Sequence, residues 1–219
     1  MTTVFLHALP LDERMWPHGP ALRLYGRGRT MEEWARSVLD EVDGELVLVG
    51  ASMGGYCALA AARLAPERVR GLALVGSRAE ADTPERREGR AKTIETIRRG
   101  GAQALWEDMR PKLFPAGADE AVVERARELA LEQRPDDLVA AVEAMRDRAD
   151  LTGVWASLDA ATLIAVGDAD PFVSVEDARS HEEAARDGRV HVFEGCGHLP
   201  SLERPDEFER VLEEFLGRV

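Results

Sequence analysis

The chain contains little cysteine, two residues in 219, and neither belongs to a C-x-x-C pair. That excludes a disulfide scaffold and offers no cysteine-based metal site. Cys57 and Cys196 are expected to be reduced thiols of a cytosolic protein. There is no long hydrophobic run, since no apolar stretch approaches the roughly 18 residues of a membrane span. There is no excess of positive charge either: the formal net charge is −13, which argues against nucleic acid or an anionic membrane as a partner. The first residues, "MTTVFLHALP", lack a basic region followed by an apolar stretch and a cleavage site, and read as a strand rather than an export signal. Cytoplasmic location is the expectation. Internal repeats and low-complexity tracts are absent.

Apolar residues make up 45% of the chain, enough for the core of one large domain. Six short apolar runs stand out: Thr3–Leu6, Ala21–Tyr25, Leu46–Gly50, Gly71–Val75, Thr162–Val166 and Val190–Phe193. Most alternate with helical patterns at Met31–Glu41, Gly55–Ala65, Ser174–Arg186 and Asp206–Leu216. Alternation of this kind predicts an α/β fold with a parallel sheet of about six strands, helices on both faces and right-handed crossovers. Thr3–Leu6 and Leu46–Gly50 are expected to be adjacent strands.

From Arg78 to about Gly153 the text is helical, with 14 basic and 17 acidic residues, most of them expected on solvated faces. An insertion after the fourth strand lies at the strands' C-terminal edge, where ligands bind in such sheets. Residues 78–152 are therefore expected to form a helical cap on a core made of 1–77 and 153–219. Trp106, Met109, Leu113, Phe114, Leu138 and Met145 are candidates either for the substrate pocket or for the cap's own packing. The cluster Arg86, Arg87, Arg90, Lys92, Arg98 and Arg99 could face an anionic substrate.

Chemistry concentrates where one apolar strand turns into a helix, at Gly50-Ala51-Ser52-Met53-Gly54-Gly55. A serine hydroxyl is a poor nucleophile unless it is exposed, positioned and next to a base. A tight strand-to-helix turn positions it and needs residues without bulk two places before and after, which Gly50 and Gly54 supply. The helix that follows aims its first N–H groups, that of Met53 among them, at a developing oxyanion. Taken alone, G-x-S-x-G also describes many structural turns.

Two further loops join it, each just past a predicted strand. "VGDADPF" carries Asp168 and Asp170; "EGCGHLPSLERPDEF" carries His198. The order Ser, Asp, His suits a nucleophile, an orienting carboxylate and a general base. Asp168 follows its strand so closely that it suits a turn cap, which leaves Asp170 as the expected partner of His198. After the first strand, "LHALPLDERMW" places the Leu9 N–H where it can pair with that of Met53 in a two-donor oxyanion hole. His7 is expected to tie that loop together. His18, His181 and His191 read as loop, helix-surface and strand-face residues.

These segments, with "LYGRGRT" and "LVLVGASMGGYCALAAARLAPERVRGLALVGSRAEADTPE", resemble the α/β-hydrolase superfamily over nearly the whole chain. The resemblance is strongest to its esterase-like and 3-oxoadipate enol-lactonase-like branch. It implies Ser52 as nucleophile, His198 as base, Asp170 as its partner, and Leu9 and Met53 as oxyanion donors. It also implies hydrolysis of small to medium carboxylic esters or lactones through an acyl-enzyme, without cofactor or metal. The family's first two strands are missing, Ala8 stands for a frequent glycine, and "LYGRGRT" lacks an aspartate often found before R-G-x-G. Dehalogenase and epoxide-hydrolase relatives carry an aspartate where Ser52 stands, and epoxide opening uses cap tyrosines, whereas Tyr25 and Tyr56 both precede the cap. Three alternatives stay open: an enol-lactonase proper, a perhydrolase or cofactor-free haloperoxidase with the same triad, and a ligand-binding module with an idle triad.

Overall fold

The computed structural model describes residues 1–219 apart from His18; the loop reading of that histidine lies outside the described residues. Six strands form one fully parallel sheet: β1 (Thr2–Leu6), β2 (Ala21–Leu22), β3 (Leu46–Ala51), β4 (Val69–Val75), β5 (Ala161–Gly167) and β6 (Gly188–Phe193). Their order is β2-β1-β3-β4-β5-β6, with β1 and β3 adjacent as expected. The chain thus moves outward from β1 in one direction to β2, then returns and moves outward in the other direction from β3. The gap above the C-terminal ends of β1 and β3 is where the winding reverses, the position at which open α/β sheets bind ligands.

Alternation along β3 shows how the sheet is sandwiched. Leu46 and Leu48 face a cluster with Trp34 and Val38 of α1 (Met31–Glu41) and Leu59 of α2 (Met53–Leu64). Val47 and Val49 face Phe208, Leu212 and Phe215 of α9 (Pro205–Leu216) on the other side. With both faces covered, β3 and β5 are buried along their whole length, as the near-continuous apolar runs require. On the α1 side also sits α7 (Val175–Ala184).

The run Ala21–Tyr25 makes a shorter strand than its residues suggest, because pairing stops at Leu6↔Leu22. Its partner β1 ends there and leaves as the His7–Pro10 loop, so Leu24 has no carbonyl to bond. The His7 ring replaces it: Leu24 N–H donates to Nε2 at 2.9 Å, while Nδ1 donates to the Ala8 carbonyl at 3.1 Å. Complete burial lowers the His7 pKa to about 4, so the ring is a neutral fastener of this loop and not a base.

Between β4 and β5 the chain is helical: α3 (Pro84–Leu113), α4 (Glu120–Leu131), α5 (Pro135–Arg146) and α6 (Thr152–Ser157). α3 breaks at Gly101, whose φ of 64° and ψ of −153° no helix allows, so the "RRGG" stretch separates two helical halves. The return segment is short, with α8 (Pro200–Glu203) preceding α9. No helix among the described residues is long and apolar enough to cross a membrane.

His181 corrects a sequence reading. It is 6% exposed rather than on the helix surface. The loop entering α3 covers it, with Ala79 N–H donating to Nε2 at 3.1 Å, and Nδ1 facing the Asp177 carbonyl at 2.8 Å. Glu80 Oε2 lies 3.4 Å from the same Nε2. Burial lowers the His181 pKa, but the negative charge of Glu80 beside the ring outweighs it and the net direction is up. Nothing in α7 itself reveals this, because the covering residues arrive from about a hundred positions earlier.

Candidate active site

Ser52 stands between β3 and α2 with φ 47° and ψ −108°, the single non-glycine residue at positive φ among the described residues. Such a conformation costs about 1–3 kcal/mol and persists only when its surroundings force it. Here they do. The Ser52 N–H donates to the Val75 carbonyl at 2.8 Å, and its own carbonyl accepts from Ser77 Oγ at 2.8 Å and from Gly55 N–H at 3.0 Å. A Cβ on Gly50 would lie 2.5 Å from the Gly54 backbone, and one on Gly54 would lie 2.2 Å from the Leu6 carbonyl oxygen. The two glycines therefore let the elbow fold back on itself and against β1. From Leu46 to Ala62, Ser52 is the one residue that is not buried.

Asp170 and His198 come from the loops after β5 and β6. His198 Nδ1 lies 2.8 Å from Asp170 Oδ2, with both side chains almost wholly buried. The other carboxylate oxygen, Oδ1, accepts from the N–H groups of Phe172 (2.7 Å) and Val173 (3.2 Å). A carboxylate so surrounded by donors is an acceptor at both oxygens, so the His198 proton sits on Nδ1 and Nε2 is left with its lone pair. Asp168 instead accepts from Cys196 N–H at 3.3 Å and fastens the two loops to each other. His198 is held from three sides. Its N–H donates to the Leu113 carbonyl at the end of α3 (3.0 Å), its flanking N–H groups on Gly197 and Leu199 donate to Glu203, and the Phe172 ring packs edge-on at 4.7 Å.

Ser52, His198 and Leu9 line one cavity of about 300 Å³. Ser52 Oγ makes no hydrogen bond among the described residues, to His198 or to any other group; in free enzymes such contacts often tighten only around substrate. The N–H groups of Leu9 and Met53 likewise donate to no acceptor among the described residues, and Met53 opens α2, where the helix leaves its first donors unspent. These two N–H groups leave the adjacent strands β1 and β3, at the reversal of winding described above.

Of the six apolar candidates, Met109 and Met145 line the cavity. Trp106 and Phe114 pack with Val123, Ala126 and Leu129 of α4, Leu138 packs with Ile94, Ile97 and Leu105, and Leu113 is buried beside them with its carbonyl on His198 N–H. In the basic cluster, Arg86 and Arg90 reach the cavity, one helical turn apart. Arg87, Lys92 and Arg98 are instead paired with Asp147, Glu88 and Glu143, and Arg99 does not line the cavity. Arg90 is bound to Asp82, which also faces Arg148. Arg86 has no ion pair among the described residues.

Several lining residues were not singled out from sequence: Tyr56 on α2, Arg78 at the entry to the insertion, and Lys112. Arg78 had a detectable signal, being a charged residue three places past a predicted strand end. It donates to the Phe172 carbonyl and pairs with Asp177 at 3.2 Å, which fixes the loop that carries Asp170. Both thiols are free and buried; burial pushes the Cys57 pKa up to about 12 and that of Cys196 higher still, so neither is a nucleophile. Among the described residues no three His, Cys, Asp or Glu side chains converge to hold a metal ion.

The pattern that defines the Alpha/beta hydrolase family matches residues 3–211. A 2-hydroxy-6-oxononadienedioate/2-hydroxy-6-oxononatrienedioate hydrolase from Pseudomonas putida is 28% identical over 195 residues, which cover 83% of this chain. The chain spans 66% of that relative's length, just under two thirds. Among solved structures, a thermophilic esterase from Thermogutta terrifontis with malate bound superposes with a TM-score of 0.88 at 29% identity, covering 98% of this chain and 88% of that one. The enol-lactonase from Burkholderia xenovorans LB400 superposes at 0.85 with 24% identity, covering 98% and 91%, a likeness of fold. With a parallel sheet, a serine elbow and a family match that covers nearly the whole sequence, the chain belongs to the alpha/beta hydrolase family.

Proposed function

We propose that this protein is a serine hydrolase that opens carboxylic esters or lactones through an acyl-enzyme, with the helices of residues 78–152 acting as a cap over the site. The observation that carries this is the Asp170–His198 contact of 2.8 Å, which leaves Nε2 basic in the same cavity as the strained Ser52.

Ser52 Oγ attacks the substrate carbonyl carbon while His198 Nε2 takes its proton. The oxygen that becomes negative is stabilised by the N–H groups of Leu9 and Met53, each contributing about 3–4 kcal/mol to lowering the barrier. Collapse of the tetrahedral intermediate breaks the bond to the leaving alkoxide, which receives the proton from His198. In a lactone this alkoxide stays tethered to the acyl group. Water, deprotonated by His198, then attacks the Ser52 ester, and its collapse releases the acid and restores the hydroxyl. Throughout, Asp170 keeps the imidazole oriented and stabilises its positive charge.

The lining favours a substrate that carries a carboxylate. Arg78, Arg90 and Lys112 line the cavity already paired with Asp177, Asp82 and Asp108, while Arg86 lines it with no ion pair among the described residues. In a chain of net charge −13, an unpaired guanidinium in the site is a point that attracts an anion. The malate-bound esterase and the relative named for a dioate are consistent with it. The test is a panel of p-nitrophenyl esters and small lactones, neutral and carboxylate-terminated, assayed with wild type and Ser52→Ala. Turnover in the wild type that vanishes in Ser52→Ala is the expected result; equal rates in both would overturn the reading.

A further inference from the structure

A second cavity, of about 150 Å³, lies against the catalytic one, and two residues line both: Tyr56 and Arg78. Tyr56 stands one helical turn after Ser52 on α2, so it is a wall of the site close to the nucleophile. Behind that wall the chamber is lined by Met31, Leu59, Ala60 and Leu151, with Arg78 and Arg148 at the wall and Glu32, Arg63 and Asp147 also in the lining. The part of its surface made by Met31, Leu59, Ala60 and Leu151 suits a hydrocarbon chain rather than a carboxylate.

The wall is fixed, not swinging. The Arg148 guanidinium lies 4.0 Å over the Tyr56 ring, a cation–π distance. That guanidinium is itself immobilised. It donates to the Glu80 carbonyl from Nε (3.1 Å) and Nη2 (2.7 Å), to the Met145 carbonyl from Nη1 (2.8 Å), and faces Asp82 at 2.6 Å. Arg78 is held in turn by Phe172 and Asp177. A ring clamped under an arginine with that many fixed partners does not rotate aside for a long substrate.

We infer that the chamber behind Tyr56 is an acyl-tail subsite walled off from the catalytic cavity, and that Tyr56 is the residue limiting how long an apolar acyl chain this protein accepts. The inference rests on the serine-esterase reading above. At roughly 30 Å³ for each small group, the chamber has room for about five more heavy atoms once the ring is removed.

The experiment compares kcat/KM for p-nitrophenyl decanoate and p-nitrophenyl butyrate. Tyr56→Ala raises the decanoate-to-butyrate ratio by about tenfold or more, since each methylene gained by an apolar subsite is worth at least a few-fold. Adding Ala149→Phe, at an exposed position that lines the chamber but not the catalytic cavity, fills the space and returns the ratio most of the way. Tyr56→Leu, which keeps much of the apolar bulk on α2, moves the ratio in the same direction by less and serves if the alanine variant fails to fold. An unchanged ratio in the folded Tyr56 variants overturns the inference. So does a gain that survives Ala149→Phe, since a generally loosened site would give it. If wild type turns over neither ester, and no better than Ser52→Ala, the failure belongs to the esterase reading itself.

Discussion

Replacing Asp170 by asparagine exchanges one carboxylate oxygen for an NH₂ and is expected to cost about four orders of magnitude in kcat. The structure says why the substitution cannot be absorbed. Oδ1 accepts two backbone N–H groups, from Phe172 and Val173, and Oδ2 faces His198 Nδ1. An asparagine amide has one acceptor and one donor end. Its oxygen must take the Oδ1 place, because an NH₂ there would point its hydrogens at two N–H groups. The NH₂ then faces His198 and donates to Nδ1, which drives the imidazole proton to Nε2 and removes the lone pair that Ser52 needs. Four orders of magnitude correspond to about 5.5 kcal/mol of barrier at 1.36 kcal/mol for each decade. Asp168→Asn is the control: its oxygen still accepts from Cys196 N–H, so the loss stays within about tenfold. The assay is kcat on p-nitrophenyl butyrate, with circular dichroism to show that both variants are folded. A larger loss in Asp168→Asn than in Asp170→Asn would refute the assignment of the acid, and retention of full rate in both would refute the tautomer argument.

Arg86→Gln should lower kcat/KM for a carboxylate-terminated ester relative to its neutral isostere by about ten- to a hundredfold, the worth of one charge-assisted hydrogen bond; in the wild type the same ratio should shrink as salt is raised. Trp106→Ala and Leu138→Ala, both buried and outside the cavity lining, should each lower unfolding stability by about 2–5 kcal/mol in urea titrations while leaving the preference between short and long acyl chains where it was. Glu80→Gln should be more destabilising near pH 6 than near pH 9. Burial opposes the charge on Glu80, but its pairing with His181 prevails and its pKa falls from 4.5 to about 2, so its contribution is present above 4.5 and lost as pH falls through about 2. The His181 pKa is raised from 6.5, so its share is full below 6.5 and lost as pH rises through the shifted value. Thermal midpoints of the two proteins across that range read the difference, and a constant gap would count against the pair.

The residues grouped around Ser52 were legible because each has a signal tied to the end of a strand. Ser52 has glycines two places away, Asp170 and His198 lie in short loops after apolar runs, and Leu9 follows β1. Strand positions could be read because parallel strands covered on both faces stay apolar throughout. Side-chain direction within the insertion was not legible. Trp106, Met109 and Leu113 follow one another at helical spacing in α3, and only the placement of α4 decides that the methionine faces the cavity and the tryptophan does not. Tyr56 reads as an ordinary residue of a buried helix until Arg148, 92 positions later, is seen over its ring. Ser77, which fixes the Ser52 carbonyl, carries no pattern of its own.

The bond from His198 N–H to the Leu113 carbonyl bears on how freely this scaffold can exchange parts. Segments inserted between two strands are the natural units for building chimaeras, and joints near residues 78 and 152 look convenient because the sheet is intact on either side. Yet the incoming segment would have to present a backbone carbonyl at the one point where the histidine loop needs an acceptor. A graft that misses it leaves a buried N–H without a partner, at a cost of about 1–3 kcal/mol, beneath the residue whose position matters most. The insertion is therefore not a detachable accessory, and any donor segment has to be chosen for where its first long helix ends before it is chosen for the pocket it brings.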